Sequence, residues 1–147
     1  MVDITAKPEV YREAKAIGHI QLRKETIELI KKGKVSKGDP LYTAKIAGIL
    51  AAKNTSSLIP LCHPIPLSNV NLNVEIVNDS IITVEADVKT KAQTGVEMEA
   101  LTAVTTALLT IWDMVKQYEK DRDGQYPYTC IKDIRVTRKV KRPQLNE

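Results

Sequence analysis

Asp113 and Lys116 stand three residues apart in a stretch that reads as helix, a spacing that lets a carboxylate and an ammonium touch across one turn. Such a pair can act as an acid–base couple, each partner tuning the other's pKa. The same two residues also make an ordinary intrahelical ion pair. Two more carboxylates, Glu97 and Glu99, lie near the start of the same stretch. Cys62 and His63 are adjacent in SSLIPLCHPIPL, residues 56–67. Chain neighbours rarely face one another, so this is not the natural layout of a cysteine nucleophile and its base. Pro60, Pro64 and Pro66 stiffen that segment while its apolar residues favour burial, which fits a packed structural loop and fits the wall of a site equally well. Cys62, His63, Glu97 and Glu99 are all metal-ligand types, but their spacing matches no metal motif, and no metal is expected.

Composition narrows the function classes. The chain has 147 residues, 43% hydrophobic and 27% charged, as expected of one globular domain over 1–147. Its two cysteines form no C-x-x-C pair, which excludes a zinc ribbon or a thioredoxin-like motif. MVDITAKPEVYREAK has no apolar core of the secretory kind, so a cytoplasmic location is the expectation. The net charge of +4 is mild and suits a phosphate-bearing ligand. Aromatics at 4%, without phenylalanine, argue against a base-stacking RNA-binding sheet, and neither nucleic acid nor a membrane is expected as partner. No Walker loop or G-x-G-x-x-G occurs, so a bound phosphate would fall to lysines and helix N-termini.

The elements that must position these residues are legible from pattern. Thr94 to Lys120 predicts one long helix, opened by a T-x-x-E capping box of Thr94 and Glu97. It has no charge between Ala100 and Trp112, which predicts a helix buried nearly all round. Leu101, Val104, Leu108, Ile111 and Val115 form one apolar stripe; Glu99, Thr102, Thr106, Thr110 and Asp113 form a polar seam. The uncharged run is too short for a membrane span. Residues 1–15, with Lys7, Arg12 and Lys15, read as a polar arm, and Ala16 to Leu22 as a strand. A short helix over 24–32 stops at Gly33, and a loop carries Lys37 to a second helix starting at Asp39-Pro40. Val70, Leu72, Val74 and Ile76, then Ile82, Val84, Ala86 and Val88, alternate as an antiparallel hairpin. The last strand, over 129–140, places Ile134, Val136 and Val140 on one face, and 141–147 is a frayed tail. This order is a ferredoxin-like β-α-β-β-α-β sandwich of α+β class, with an extra helix and an antiparallel sheet. A helix buried on all sides needs a second covering layer, which points to an oligomer.

KGDPLYTAKIAGILAAKNTSSLIPLCHPIPLS followed by TKAQTGVEMEALTAVTTALLTIWDMVK resembles the cyclic pyranopterin monophosphate synthase family, protein C of molybdenum-cofactor biosynthesis. The resemblance covers nearly the whole chain, and LCHP, TGVEMEALTA and DM-x-K in this order are specific together. It implies a lyase that converts 3′,8-cyclo-7,8-dihydroguanosine 5′-triphosphate to cyclic pyranopterin monophosphate, releasing pyrophosphate and needing no cofactor. By the same resemblance Asp113, Lys116 and Lys37 are catalytic, and Leu61, Cys62, His63, Glu97, Met98, Glu99 and Arg12 bind substrate. It also implies a hexamer built as a trimer of dimers.

One part of the family pattern is missing. Many bacterial members end in a glycine-rich SGGKSG-like loop that bears a lysine. Here TRKVKRPQLNE has no glycine, and Lys139 and Lys141 are the cations available, without an assigned place. A non-catalytic ligand-binding regulatory module of ferredoxin-like form is the alternative from a different class, since such modules bind small molecules without an acid–base pair.

Overall fold

The computed structural model describes residues 1–143. Its elements run β1 (Val10–Gln21), α1 (Lys24–Lys31), α2 (Pro40–Lys53), α3 (Thr55–Leu58), β2 (Asn69–Ile76), β3 (Ile81–Ala92), α4 (Glu97–Glu119) and β4 (Cys130–Arg142). The strands form one antiparallel sheet in the order β2-β3-β1-β4. This is a mixed α+β architecture with a single apolar core between the sheet and its helices.

Alternation drives the sheet. Leu72 on β2, Ile82, Val84, Ala86 and Val88 on β3, and Ala14, Ala16 and Ile20 on β1 share the buried face. The hairpin matches its pattern, and β3 runs four residues further, to Ala92. β1 begins at Val10, so the arm is shorter than 1–15: VYREAK already alternates, and Arg12 lies on the core side. An inward charge breaks the apolar pattern of VYREAK, so alternation of apolar residues does not mark this part of the strand.

α4 is the centre of the sandwich. On one side Val104 and Leu108 press on β1 at Gly18, where an added Cβ would lie 2.8 Å from both side chains. On another, Ala103 and Ala107 meet α2 at Gly48, where an added Cβ would lie 3.0 Å from the Ala103 carbonyl. Small residues at both crossings let the backbones approach, and each large apolar side chain buried there contributes about 1.5–3 kcal/mol. Within one chain the burial is not complete. Leu109 is 55% exposed and Leu101 only half-buried, because two layers cannot enclose a helix on every side. With 23 residues α4 is long and apolar enough to cross a membrane by composition alone, but here it is the core helix between sheet and α2.

Two local expectations change at its ends. The capping box does not form: Val96 is the N-cap, with no side-chain cap, and Glu97 pairs with Lys139 instead. On β4, Ile134 packs on the core and Val136 pairs with Ala16, but Val140 pairs with Glu13 on the outer face. The partner of Lys15 is Arg138 and that of Ala16 is Val136, so Thr137 is an extra residue, a bulge that reverses the face of everything after it. β4 also continues through Lys141 and Arg142, which therefore belong to the strand; the rest of the expected tail, from 144, lies outside the described residues.

Candidate active site

The start of α4 and the proline-rich loop enclose a cavity of about 440 Å³, lined by Leu61, Cys62, His63, Glu97, Met98 and Glu99 together with Val2, Ile4 and Lys7. That volume is in the range of small-molecule sites. The loop is held from both ends. Thr55 caps the carbonyls of Ala51 and Ala52, and the Thr90 hydroxyl donates to the Pro66 carbonyl. Leu61 is left 71% exposed at the rim. His63 Nε2 donates to the Val2 carbonyl at 2.8 Å, so the N-terminal residues fold over this wall.

The two carboxyls of the cavity are driven in opposite directions. Glu99 is 4% exposed, and burial pushes its carboxyl up; its own backbone amide opposes this and the charge of Glu97 reinforces it. Burial also acts to raise Glu97, but its bond to Lys139, its own amide, and the charges of Lys139 and Arg12 outweigh that, and its carboxyl is lowered. Glu99 is thus poised to hold a proton that Glu97 releases. Burial, with the charge of Glu99 behind it, pushes the Cys62 thiol up, which suits a packed thiol and not a thiolate nucleophile.

Next to this cavity, and sharing Lys7, Thr94, Gly95 and Glu97 with it, lies a cleft of about 340 Å³ that carries Arg12, Lys139 and Lys141. The bulge at Thr137 puts Lys139 opposite Ala14 and Lys141 opposite Arg12, on the core side of the sheet. Arg12 is buried, donating from Nε to the Ala92 carbonyl at 3.2 Å and from Nη2 to that of Gln93 at 3.1 Å. Four cations therefore converge on one side of Glu97. Lys7 read as solvated charge in the sequence, and Lys139 and Lys141 had no place. Their i, i+2 spacing puts them on one strand face, but only the bulge decides which face.

At the far end of α4, Asp113 meets Lys37 and Lys116. Lys37 Nζ lies 2.9 Å from Asp113 Oδ2 and 3.0 Å from its carbonyl, and Lys116 Nζ lies 2.7 Å from Oδ1. The Lys37 loop runs between Gly33 and Gly38, both left-handed at φ 66° and 107°, and is anchored by the buried Val35. It then enters α2, whose Asp39 cap accepts from the Leu41 and Tyr42 amides. The hydrogen bonds from Lys116 and then Lys37 hold the Asp113 carboxyl down at about 2, and Asp113 in turn raises Lys116. The couple thus moves away from neutrality, and in this resting arrangement Asp113 is a carboxylate and a weak base.

The structure therefore assembles two groups. Leu61, Cys62, His63, Glu97, Met98, Glu99 and Arg12 gather at the start of α4; Lys37, Asp113 and Lys116 gather at its end. Glu99 and Asp113 are 14 positions apart on one helix, roughly 21 Å along its axis. Among the described residues, no three of His, Cys, Asp and Glu are placed to hold a metal ion.

Residues 1–141 match the sequence model of the MoaC family. The chain is 58% identical over 141 residues to the probable cyclic pyranopterin monophosphate synthase of Sulfolobus acidocaldarius, covering 96% of this chain and 98% of that protein. It is 59% identical to the proteins of the same description from Sulfurisphaera tokodaii and Pyrococcus abyssi, with 96% of this chain and 93% and 88% of theirs covered.

Proposed function

The chain belongs to the MoaC family, and on that premise we propose that it is a cyclic pyranopterin monophosphate synthase acting in molybdenum-cofactor biosynthesis. We read the reaction as the lyase step on 3′,8-cyclo-7,8-dihydroguanosine 5′-triphosphate, forming the cyclic phosphate as pyrophosphate leaves. The observation that carries this is the cavity in which the buried Glu99 carboxyl adjoins a cleft of four cations. Opening one ring and closing another moves several protons, and two carboxyls pushed apart supply a proton-holding and a proton-releasing group side by side. Lys7, Arg12, Lys139 and Lys141 offer charge to a leaving pyrophosphate, the task given in many bacterial relatives to the glycine-rich loop absent here.

Asp113, Lys37 and Lys116 are the catalytic group of this proposal. A polyphosphate that drew either lysine away would return the Asp113 carboxyl toward its ordinary range, where it serves better as a base. The 21 Å between the two groups supports a site shared between chains, in which the start of one α4 faces the end of its partner's. Exposed Tyr42, Ile46 and Leu50, spaced by four on α2, and Leu109 on α4 support an apolar contact between copies, and we extend this to a trimer of dimers. The strand order β2-β3-β1-β4, with helices on one face, supports a ferredoxin-like reading of the fold. A regulatory module without turnover is not favoured, because the similar proteins are named as synthases.

The test is incubation of the purified protein with the cyclic triphosphate. Pterin product and pyrophosphate in equal amounts are expected. Binding without either product would overturn the assignment.

A further inference from the structure

Resting on that reading, we propose that Tyr118 and Gln117 are positioning residues that latch the loop carrying Lys37, so that its ammonium is delivered to Asp113. Tyr118 Oη accepts a hydrogen bond from the Ser36 amide at 2.9 Å, and Gln117 Nε2 donates to the Ser36 hydroxyl at 2.8 Å. Ser36 immediately precedes Lys37, so the Tyr118 bond fixes the backbone from which the Lys37 side chain starts, and the Gln117 bond ties down the Ser36 side chain beside it. The latch residues follow Lys116 directly on α4, which makes the last turns of α4 one platform: Asp113 and Lys116 present the reacting group, and the next two residues hold the third member against it.

Such a latch is needed because of what surrounds Lys37. The loop from 33 to 38 begins and ends in a left-handed glycine, and nothing lies within 4 Å of where a Cβ would sit at either. Val35 is its one buried side chain, and Ser36, Lys37 and Gly38 are exposed. A lysine on such a tip samples many positions unless its backbone is tied, and small misplacements of a reacting group are costly in rate. The Tyr118 ring packs against the core while its oxygen faces the loop. Phenylalanine therefore keeps the packing and removes only the acceptor.

The test compares Tyr118→Phe and Tyr118→Phe/Ser36→Ala with the unmodified protein by kcat, KM, Tm and hydrogen exchange of the Ser36 amide. Exchange at Ser36 should accelerate while Tm is unchanged, and kcat should fall by roughly tenfold with a smaller change in KM. In a Lys37→Ala background, read by single turnover, Tyr118→Phe should add no further loss, because the latch acts through that lysine. Unchanged kcat despite faster Ser36 exchange would overturn the proposal, as would a kcat loss that tracks a fall in Tm or that persists in full without Lys37. Absence of turnover in the unmodified protein would instead overturn the reaction, and Ser36 exchange would still report whether the latch holds the loop.

Discussion

Lys37 and Asp113 are 76 positions apart in the chain and 2.9 Å apart in the fold. The contact joins a loop and the end of a core helix, and it turns a carboxylate–lysine pair into a carboxylate between two ammonium groups. Both partners are largely solvent-exposed, with Asp113 56% and Lys37 46% accessible at the side chain, so the contact is a poor source of stability. The role proposed for it is catalytic.

Asp113→Asn should therefore abolish turnover and leave the fold intact. Melting temperature at neutral pH should move little, since water screens exposed pairs and they add little to stability. The carboxyl is depressed in the folded state, so the pair's contribution is present above the ordinary carboxylate pKa of 3.8 and is lost as pH falls toward about 2. Any stability difference between the two proteins should thus vanish in strong acid. Near-normal turnover in the Asn variant would show that Asp113 is only an ion-pair partner.

Glu99→Gln should separate stability from activity in the opposite sense. A carboxyl raised in the folded state is bound more tightly to its proton there than in the unfolded chain. Folding is therefore favoured below the unfolded value near 4.5 and loses that advantage as pH rises above it. Glutamine escapes the cost of ionising in a buried place. Its melting temperature should exceed that of the native protein at pH 7 and equal it at pH 4, while turnover falls. A lower melting temperature at pH 7 would mean that the ionised form is well solvated where it stands.

Lys139→Ala should weaken pyrophosphate binding and leave Glu97 without its closest cation. Calorimetric titration with pyrophosphate at two salt concentrations should show weaker affinity and a shallower salt dependence than in the native protein. Lys132→Ala, which removes a cation that pairs opposite His19 outside the cleft, serves as the control and should bind normally. Equal loss from both substitutions would show a general charge effect in place of a built anion site.

Mixed assemblies test whether the site is shared. Glu99→Ala and Asp113→Asn subunits, each inactive alone, are dissociated together and reassembled. If each site takes the start of α4 from one chain and its end from another, a mixed dimer has one site with both lesions and one with none. Random pairing at equal amounts should then restore about a quarter of native activity. No recovery, with subunit exchange shown independently, would place both carboxylates in the same chain's site.

What the sequence determined by itself is what short-range forces decide. The hairpin of β2 and β3 was legible because alternation over 70–76 and 82–88 leaves one solution for burying a face. The start of α2 was legible because Asp39 can cap only the amides just after it and Pro40 suits only a first turn. The grouping of LCHP with the start of α4 came from the family resemblance; composition alone left that loop open. The tertiary structure decided everything that depended on a distant partner. Thr94 and Glu97 satisfied a local rule for a capping box, yet Glu97 went to Lys139, because a charged partner brought in by β4 outcompetes the backbone N–H of Thr94 three residues away. β4 itself kept its alternation in sequence and changed face in space. One extra residue at Thr137 reverses every side chain beyond it, and no pattern within the strand marks where its partner will skip. That same shift carried Lys139 and Lys141 to the cleft. The opposite end of α4 gained Lys37 for a similar reason: a loop between two glycines has no preferred direction of its own, and only the contacts made after folding, from Val35 in the core to Ser36 on Tyr118, give it one.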